Sequence, residues 1–162
     1  MTGIETLKRG LAGARMVTQR LLDGLSDADL LVRPVEGANC IAWQLGHLIV
    51  SEHAIAESVR KGEMPKLPDG FREAYSKETS KGDLAHPLSK GEYLRLMDEQ
   101  RAGTLKILDA VGDAGLDQPG PENFRSMFPT VADVLSLLIN HEVMHAGQYS
   151  VVRRKLGKPN VF

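Results

Sequence analysis

The stretch that decides the fold is TVADVLSLLINHEVMHAGQYSVVRRKLG, residues 130–157, which has the features of one long helix with both ends marked. Thr130 and Asp133 have the spacing of a capping box, with Asp in place of the usual Glu. Gly157 accepts the left-handed backbone conformation that ends many helices, and the proline two residues later cannot continue one. We therefore predict a helix from Thr130 to Leu156.

Three further segments carry apolar residues at steps of three and four, which is the pattern of an amphipathic helix. Glycine and proline residues interrupt the chain between these segments. We predict a first helix from Ile4 to Leu25, a second that Asn39 caps and that ends at Lys61 and Gly62, a helical turn near Phe71 to Tyr75, and a third long helix from near Ser89 to Gly112.

Four long helices without a convincing strand predict an all-α protein, a four-helix bundle. A helix with one apolar stripe has to bury that stripe against other helices. The connection from Gly62 to Leu88 is long enough to run the length of a helix and return the chain to the same end. A parallel pair of second and third helices would require such a crossover. The length of 162 residues predicts a single domain over residues 1–162.

Composition excludes several classes of partner. The chain has 20 basic and 21 acidic residues and a formal net charge of -1, so no overall field attracts nucleic acid or an anionic membrane. No run approaches the roughly 18 apolar residues of a membrane-spanning helix. The amino terminus lacks the apolar stretch of a secretory signal, and the lone Cys40 fits a reducing compartment. We expect a cytoplasmic protein that binds a small molecule.

The strongest chemical signal is the string His141-Glu142-Val143-Met144-His145 in the last predicted helix. Residues four apart lie about 40° apart around a helix, so both imidazoles project from one face and could share a metal ion. Such a pair needs a third ligand. The string matches the HExxH motif of zinc peptidases, but residues 146–162 contain no His, Asp or Glu. A third protein ligand must come from upstream, which makes a peptidase a distant alternative.

His47 is the best upstream candidate, because it lies in mid-helix in the apolar context AWQLGHL. His53 points about 120° away from it around the same helix, and His86 lies in the long connection. Gln44 and Gln148 are each three residues from a candidate ligand, on a similar face, where an amide could orient an imidazole.

Glu142 and Arg153 each allow two interpretations from the sequence. Glu142 lies about 60° around the helix from His145 and could serve as a catalytic general base, or it could face solvent or a dimer partner. Arg153 lies among cations at a helix end, where they complement the helix dipole, or it could hold a carboxylate of a thiol cofactor.

Two segments, Ile41–Leu48 and His141–Gln148, together with the trailing Arg153, Leu156 and Gly157, resemble the DinB family of bacterial four-helix proteins. The resemblance implies an up-down-down-up bundle with one metal ion held by three histidines, which map onto His47, His141 and His145. It also implies a homodimer. Relatives in this family include thiol S-transferases and a thiol-dependent isomerase that use bacillithiol, mycothiol or glutathione.

We therefore predict a metal-dependent enzyme that adds a low-molecular-weight thiol to small electrophiles, with Zn or Ni as the expected metal and Fe or Mn as alternatives. An imidazole donor set does not choose among these ions. The alternatives in function are a metal-dependent hydrolase and a non-catalytic, stress-linked, dimeric metal-binding protein. Fold-level resemblance alone does not decide among them.

Overall fold

The computed structural model describes all of residues 1–162, and the chain is all-helical, as the sequence predicts. Four helices are long and one is a single turn. They are α1 (Gly3–Leu22), α2 (Ile41–Val59), α3 (Phe71–Ala74), α4 (Lys90–Leu116) and α5 (Val131–Lys155), with 3-10 turns at Asp29–Leu31 and Lys77–Thr79. No strand is present, and no helix has both the length and the apolar character needed to cross a membrane.

The predicted capping box at the start of α5 is confirmed. The Thr130 hydroxyl accepts a hydrogen bond from the backbone N–H of Asp133 at 3.2 Å, and the Asp133 carboxylate accepts from the backbone N–H of Thr130 at 2.9 Å. In α2 the N-cap residue is Cys40, so the predicted cap at Asn39 is wrong. The backbone carbonyl of Asn39 instead accepts a hydrogen bond from the side chain of Gln44.

Two predicted helix ends differ from the structure by three or more residues. α1 ends at Leu22, three residues before the predicted end at Leu25, and Gly24 then turns the chain with a φ of +69°. α4 continues past its predicted end at Gly112, which has a φ of 62° and a ψ of 169°, and stops at Leu116. A glycine can take up this backbone conformation without a Cβ clash, so it kinks the helix and helical hydrogen bonding resumes after it.

Among the long helices, α1 and α2 each pack against both α4 and α5, and α4 also contacts α5. Their buried apolar residues form two large clusters, one around Trp43 and Tyr149 and the other around Leu108 and Leu135. Along every long helix, one buried charged residue stands between the residues of these two clusters. We call these four residues the charged layer: Arg15, Glu52, Arg101 and Glu142.

Candidate metal centre

The three predicted metal ligands lie together where α2 packs against α5. One nitrogen from each of His47, His141 and His145 lies within 4.8 Å of the other two. His141 Nε2 and His145 Nε2 are 3.1 Å apart. Nitrogens bound at about 2.0–2.1 Å to a tetrahedral zinc ion would be separated by about 3.3 Å. The three imidazoles are therefore spaced closely enough to hold one divalent ion.

A side-chain amide fixes the orientation of His145. Gln44 Oε1 lies 2.9 Å from His145 Nδ1, and Gln44 Nε2 donates to the carbonyl oxygen of Asn39 at 3.1 Å. Because the amide nitrogen is used by that carbonyl, its oxygen faces the ring and accepts a hydrogen bond from Nδ1–H. The lone pair of His145 then resides on Nε2, the atom that faces His141. Hydrogen bonding of this kind is the usual way to orient a metal-binding imidazole. The predicted orienting role of Gln44 agrees with this contact.

An aromatic stack holds His47 on α2. Its ring lies on the indole of Trp43, with 4.9 Å between ring centroids and 9° between ring planes. Trp43 is itself fixed, because Nε1 donates to Thr79 Oγ1 at 3.1 Å. Ser51 Oγ lies 3.5 Å from His47 Nε2. Trp43 is thus both a buried packing residue and a border of the histidine cluster.

All three imidazoles have lowered pKa values, chiefly because burial penalises the charged form. The pKa of His145 falls to about 3 and that of His141 to about 4, and neighbouring histidines add to both effects. The pKa of His47 is also lowered, by burial first and then by the positive charge of Lys77, while a hydrogen bond with the Tyr75 backbone opposes this. At neutral pH the cluster is therefore uncharged, which is the form of histidine that binds metal ions.

A model described as the DinB superfamily matches residues 11–149, a span that includes all three histidines. The chain belongs to the DinB superfamily. No curated protein matches the chain. Superfamily membership agrees with a histidine cluster that could hold a metal ion.

In this DinB superfamily chain, Glu142 is turned into the core. It is only 2% exposed, so the expected alternative of a solvent-facing or dimer-facing carboxylate is wrong. Its Oε1 accepts a hydrogen bond from Arg15 Nε at 2.9 Å, and its Oε2 accepts from an Arg101 terminal nitrogen at 2.7 Å. Both carboxylate oxygens are engaged by guanidinium groups. These contacts favour a structural role over the predicted general base.

The charged layer of the DinB superfamily chain was missed in the sequence. Arg101 bridges Glu142 on α5 and Glu52 on α2, with Nε 2.7 Å from Glu52 Oε1, and it also donates to the carbonyl of Leu11 on α1. A signal was present, because each charged residue follows a buried apolar residue by four positions and so occupies the apolar stripe of its helix. The pairs are Leu11 and Arg15, Leu48 and Glu52, Met97 and Arg101, and Leu138 and Glu142.

Three other residues in or next to α2 and α5 take no direct part in the cluster. Gln148 is exposed and forms no hydrogen bond with a histidine, so the structure does not give it the predicted orienting role. Cys40 is a buried free thiol. Arg153 is buried and donates to the carbonyls of Leu21 and Pro159, so its guanidinium ties together chain segments and is not available to a thiol cofactor.

Proposed function

We propose that His47, His141 and His145 hold one divalent metal ion, and that the protein is a metal-dependent enzyme which transfers a low-molecular-weight thiol to a small electrophile. The observation that carries the proposal is the position of three neutral imidazoles within 4.8 Å of one another, with one of them oriented through its other ring nitrogen by Gln44. Packing alone does not explain why three imidazoles lie together, because burying polar rings without partners is costly.

The chemistry depends on an open position at the ion. A divalent ion with three imidazole ligands lowers the pKa of a thiol or a water that binds in its remaining position. The chain's own residues contribute in other ways. Gln44 keeps the lone pair of His145 on Nε2, and Trp43 excludes water from one face of His47. The buried Cys40 needs no part in the reaction, because the thiol comes from the cosubstrate.

Metal content is the first test. We expect about one divalent ion per chain in the purified protein, with Zn or Ni favoured and Fe or Mn as alternatives. The variants His47→Ala and His145→Ala should lose it, whereas His86→Ala is a matched control because that histidine is exposed in the long connection. Unchanged metal content in both cluster variants would overturn the proposal.

Thiol dependence separates the proposed activity from its alternatives. The metal-loaded protein should consume a small electrophile only when bacillithiol, mycothiol or glutathione is supplied. Turnover of an ester or amide without any thiol would favour a hydrolase. Three results together would favour the non-catalytic metal-binding protein: the metal ion does not exchange, its removal unfolds the chain, and the protein reacts with no thiol.

The up-down-down-up bundle is part of the same proposal. Along α1 and α5 the chain runs from the cluster around Leu108 and Leu135 toward the cluster around Trp43 and Tyr149, and along α2 and α4 it runs the opposite way. This order supports parallel α2 and α4, which the long connection between them permits. Distance measurements between pairs of spin labels at the two ends of α2 and α4 would test it.

A homodimer is the expected assembly. Three apolar side chains of α5 support it, because Val143, Met144 and Val151 are 43%, 56% and 47% exposed. Exposed apolar surface of this kind favours association. Light scattering should give twice the chain mass, and Met144→Glu should shift it to the monomer. We also propose a cytoplasmic location, which the single free cysteine supports.

A further inference from the structure

A partly open cavity of about 240 Å³ lies between α1 and α4, and its lining includes none of the three histidines. α1 packs more closely against α5 than against α4, which leaves this space open. Apolar side chains from both helices line it: Leu11, Ala12 and Met16 of α1 and Leu105 of α4. The cavity can therefore take a small organic molecule and offers it apolar walls, which are typical of ligand sites.

Two arginines of the charged layer also line this cavity. Arg15 and Arg101 are among its lining residues, although they are only 7% and 8% exposed. Their carboxylate partners in the charged layer, Glu52 and Glu142, do not line it. The guanidiniums therefore lie between the buried carboxylates and the cavity. A molecule in the cavity meets the hydrogen-bond donors of the charged layer and none of its acceptors.

Arg15 has donors left for such a molecule. A guanidinium carries five N–H groups. Nε of Arg15 donates to Glu142 at 2.9 Å, Nη1 donates to Asp98, and Nη2 donates to the carbonyl of Met97 at 3.3 Å. One N–H on each terminal nitrogen is therefore unused. The two terminal nitrogens of a guanidinium form a fork that matches the two oxygens of a carboxylate.

Asp98 is the only acidic residue in the lining, and its side chain is 62% exposed. Its ion pair with Arg15 is consequently weak, because water screens the pair and solvates the carboxylate. The carboxylate of a bound molecule can take the place of Asp98 on Arg15 while Asp98 turns into solvent. The charge around Arg15 stays the same in this exchange, because Glu142 keeps its bond to Nε. Lys8, which also lines the cavity, remains paired with the exposed Asp109.

We propose that the cavity between α1 and α4 binds a small molecule that has an apolar body and one carboxylate. The terminal nitrogens of Arg15 hold the carboxylate in place of Asp98, and the apolar body packs against the walls of the cavity. Binding is favourable because it removes apolar surface from water, which the pair with Asp98 does not do. This site is separate from the metal ion and from the proposed activity, because none of the three histidines lines the cavity.

Titration of the purified protein with 4-phenylbutyrate tests this proposal, with the neutral 4-phenylbutyramide as the matched ligand. Protein NMR spectra would report the Kd of each ligand and the resonances that move. We expect 4-phenylbutyrate to bind about two- to five-fold more tightly than the amide, because only the acid forms an ion pair with Arg15. It should also move the Nε–H resonance of Arg15. A chelator that removes the metal ion should leave the Kd unchanged.

Replacement of Asp98 gives the most specific test. Asp98→Asn should tighten the binding of 4-phenylbutyrate about two- to five-fold, because the competing carboxylate is removed, and it should leave the Kd of the amide unchanged. Glu99→Gln is the matched control and should change neither Kd. It removes the same charge from the next residue of α4, whose partner Arg95 does not line the cavity.

Ala12→Leu tests the place of binding without disturbing Arg15, which also holds Glu142. Ala12 is exposed and leucine is nearly as good a helix former as alanine, so the fold should tolerate this change. The larger side chain would occupy the cavity and should weaken the binding of both ligands. Ala110→Leu is the matched control, because Ala110 is an exposed residue of α4 that does not line the cavity.

Each contrary result refutes a stated part of the proposal. If the protein shows no saturable binding, or binds 4-phenylbutyrate and its amide equally well, Arg15 does not hold a carboxylate. If Asp98→Asn leaves the Kd of 4-phenylbutyrate unchanged or raises it, the exchange with Asp98 does not occur. Unchanged binding to Ala12→Leu would place the ligand outside the cavity. Loss of binding on removal of the metal would place the carboxylate on the ion, and this would leave the metal site standing while it overturns the inference.

Discussion

Replacement of Arg101 by methionine should destabilise the protein far more than replacement of an exposed arginine on the same helix. The Arg101 guanidinium donates to both oxygens of Glu52, at 2.7 and 3.2 Å, to Glu142 at 2.7 Å, and to the carbonyl of Leu11 at 2.8 Å. Arg101 and Glu52 are 8% and 6% exposed, so water cannot replace these bonds. Methionine fills much of the same volume but leaves a buried carboxylate with little compensation.

The expected loss of unfolding free energy depends on which hydrogen bonds the two carboxylates keep after the substitution. Glu142 keeps Arg15, but Glu52 keeps only the Thr104 hydroxyl, at 2.8 Å. Removing one partner of a buried ion pair costs about 3–5 kcal/mol, most of which is the penalty for the charge left behind. The control is Arg95→Met, which breaks an exposed pair with Glu99 one helical turn away and should cost about 0.3–0.5 kcal/mol.

Urea denaturation of the metal-free variants measures both values on the same scale. A second substitution separates the buried charge from simple loss of packing: Glu52→Gln added to Arg101→Met removes the uncompensated carboxylate. We expect the double variant to lose less unfolding free energy than the two single variants lose together, by at least about 1 kcal/mol, because the two residues belong to one network. The charged layer does not stabilise the fold in this way if the free energy of unfolding of Arg101→Met lies within about 1 kcal/mol of the wild-type value. The same conclusion follows if the effects of the two substitutions are additive.

Three further predictions concern the cluster and its surroundings. Gln44→Ala should lower metal affinity about 10- to 100-fold in a chelator competition, because the partner of His145 Nδ1 is lost, whereas Gln148→Ala should leave it unchanged. Gly46→Ala should lower the free energy of unfolding by about 1–3 kcal/mol, because the new Cβ would overlap the ring of Tyr75. A Cβ at Gly147 would meet no atom within 4 Å, so Gly147→Ala should raise that free energy by about 0.5–1 kcal/mol through helix propensity. The folded pKa of His145, about 3, lies below its unfolded value of about 6.5, so the unfolded chain binds more protons between these two pH values. The free energy of unfolding of the metal-free protein should therefore fall as pH falls from about 6.5 toward 3. His145→Asn should flatten this part of the plot of unfolding free energy against pH.

The long helices and the pairing of His141 with His145 on one helix face could be predicted because their signals are local. Apolar spacing identified all four long helices, and the capping residues of α5 marked its start. Because no His, Asp or Glu follows His145, a third protein ligand had to come from upstream, and the structure places His47 beside His141 and His145. Helix ends were less accurate. Gly112 has the same sequence signature whether a helix stops there or kinks and continues, because only the packing of the following turn decides between these outcomes.

The contacts between elements could not be predicted in the same way. The stack of Trp43 on His47 follows from spacing along α2, but the hydrogen bond from Trp43 to Thr79 joins residues 36 positions apart. The position of Lys77 depends on how the long connection folds back on α2, and no periodicity reports that. Composition gave only a near-zero net charge, which does not reveal the paired charges inside the core.

The string His-Glu-x-x-His illustrates why the residue types of a motif do not settle the roles of its members. Successive residues turn by about 100° around a helix, so Glu142 cannot share a face fully with both histidines. In this chain the direction it takes instead leads to Arg15 and Arg101, on two other helices. Without those guanidiniums, a carboxylate at this depth would carry the full cost of burial. The two arginines, and not the string, therefore determine what Glu142 does, and the same five residues beside apolar neighbours would have to place that carboxylate elsewhere.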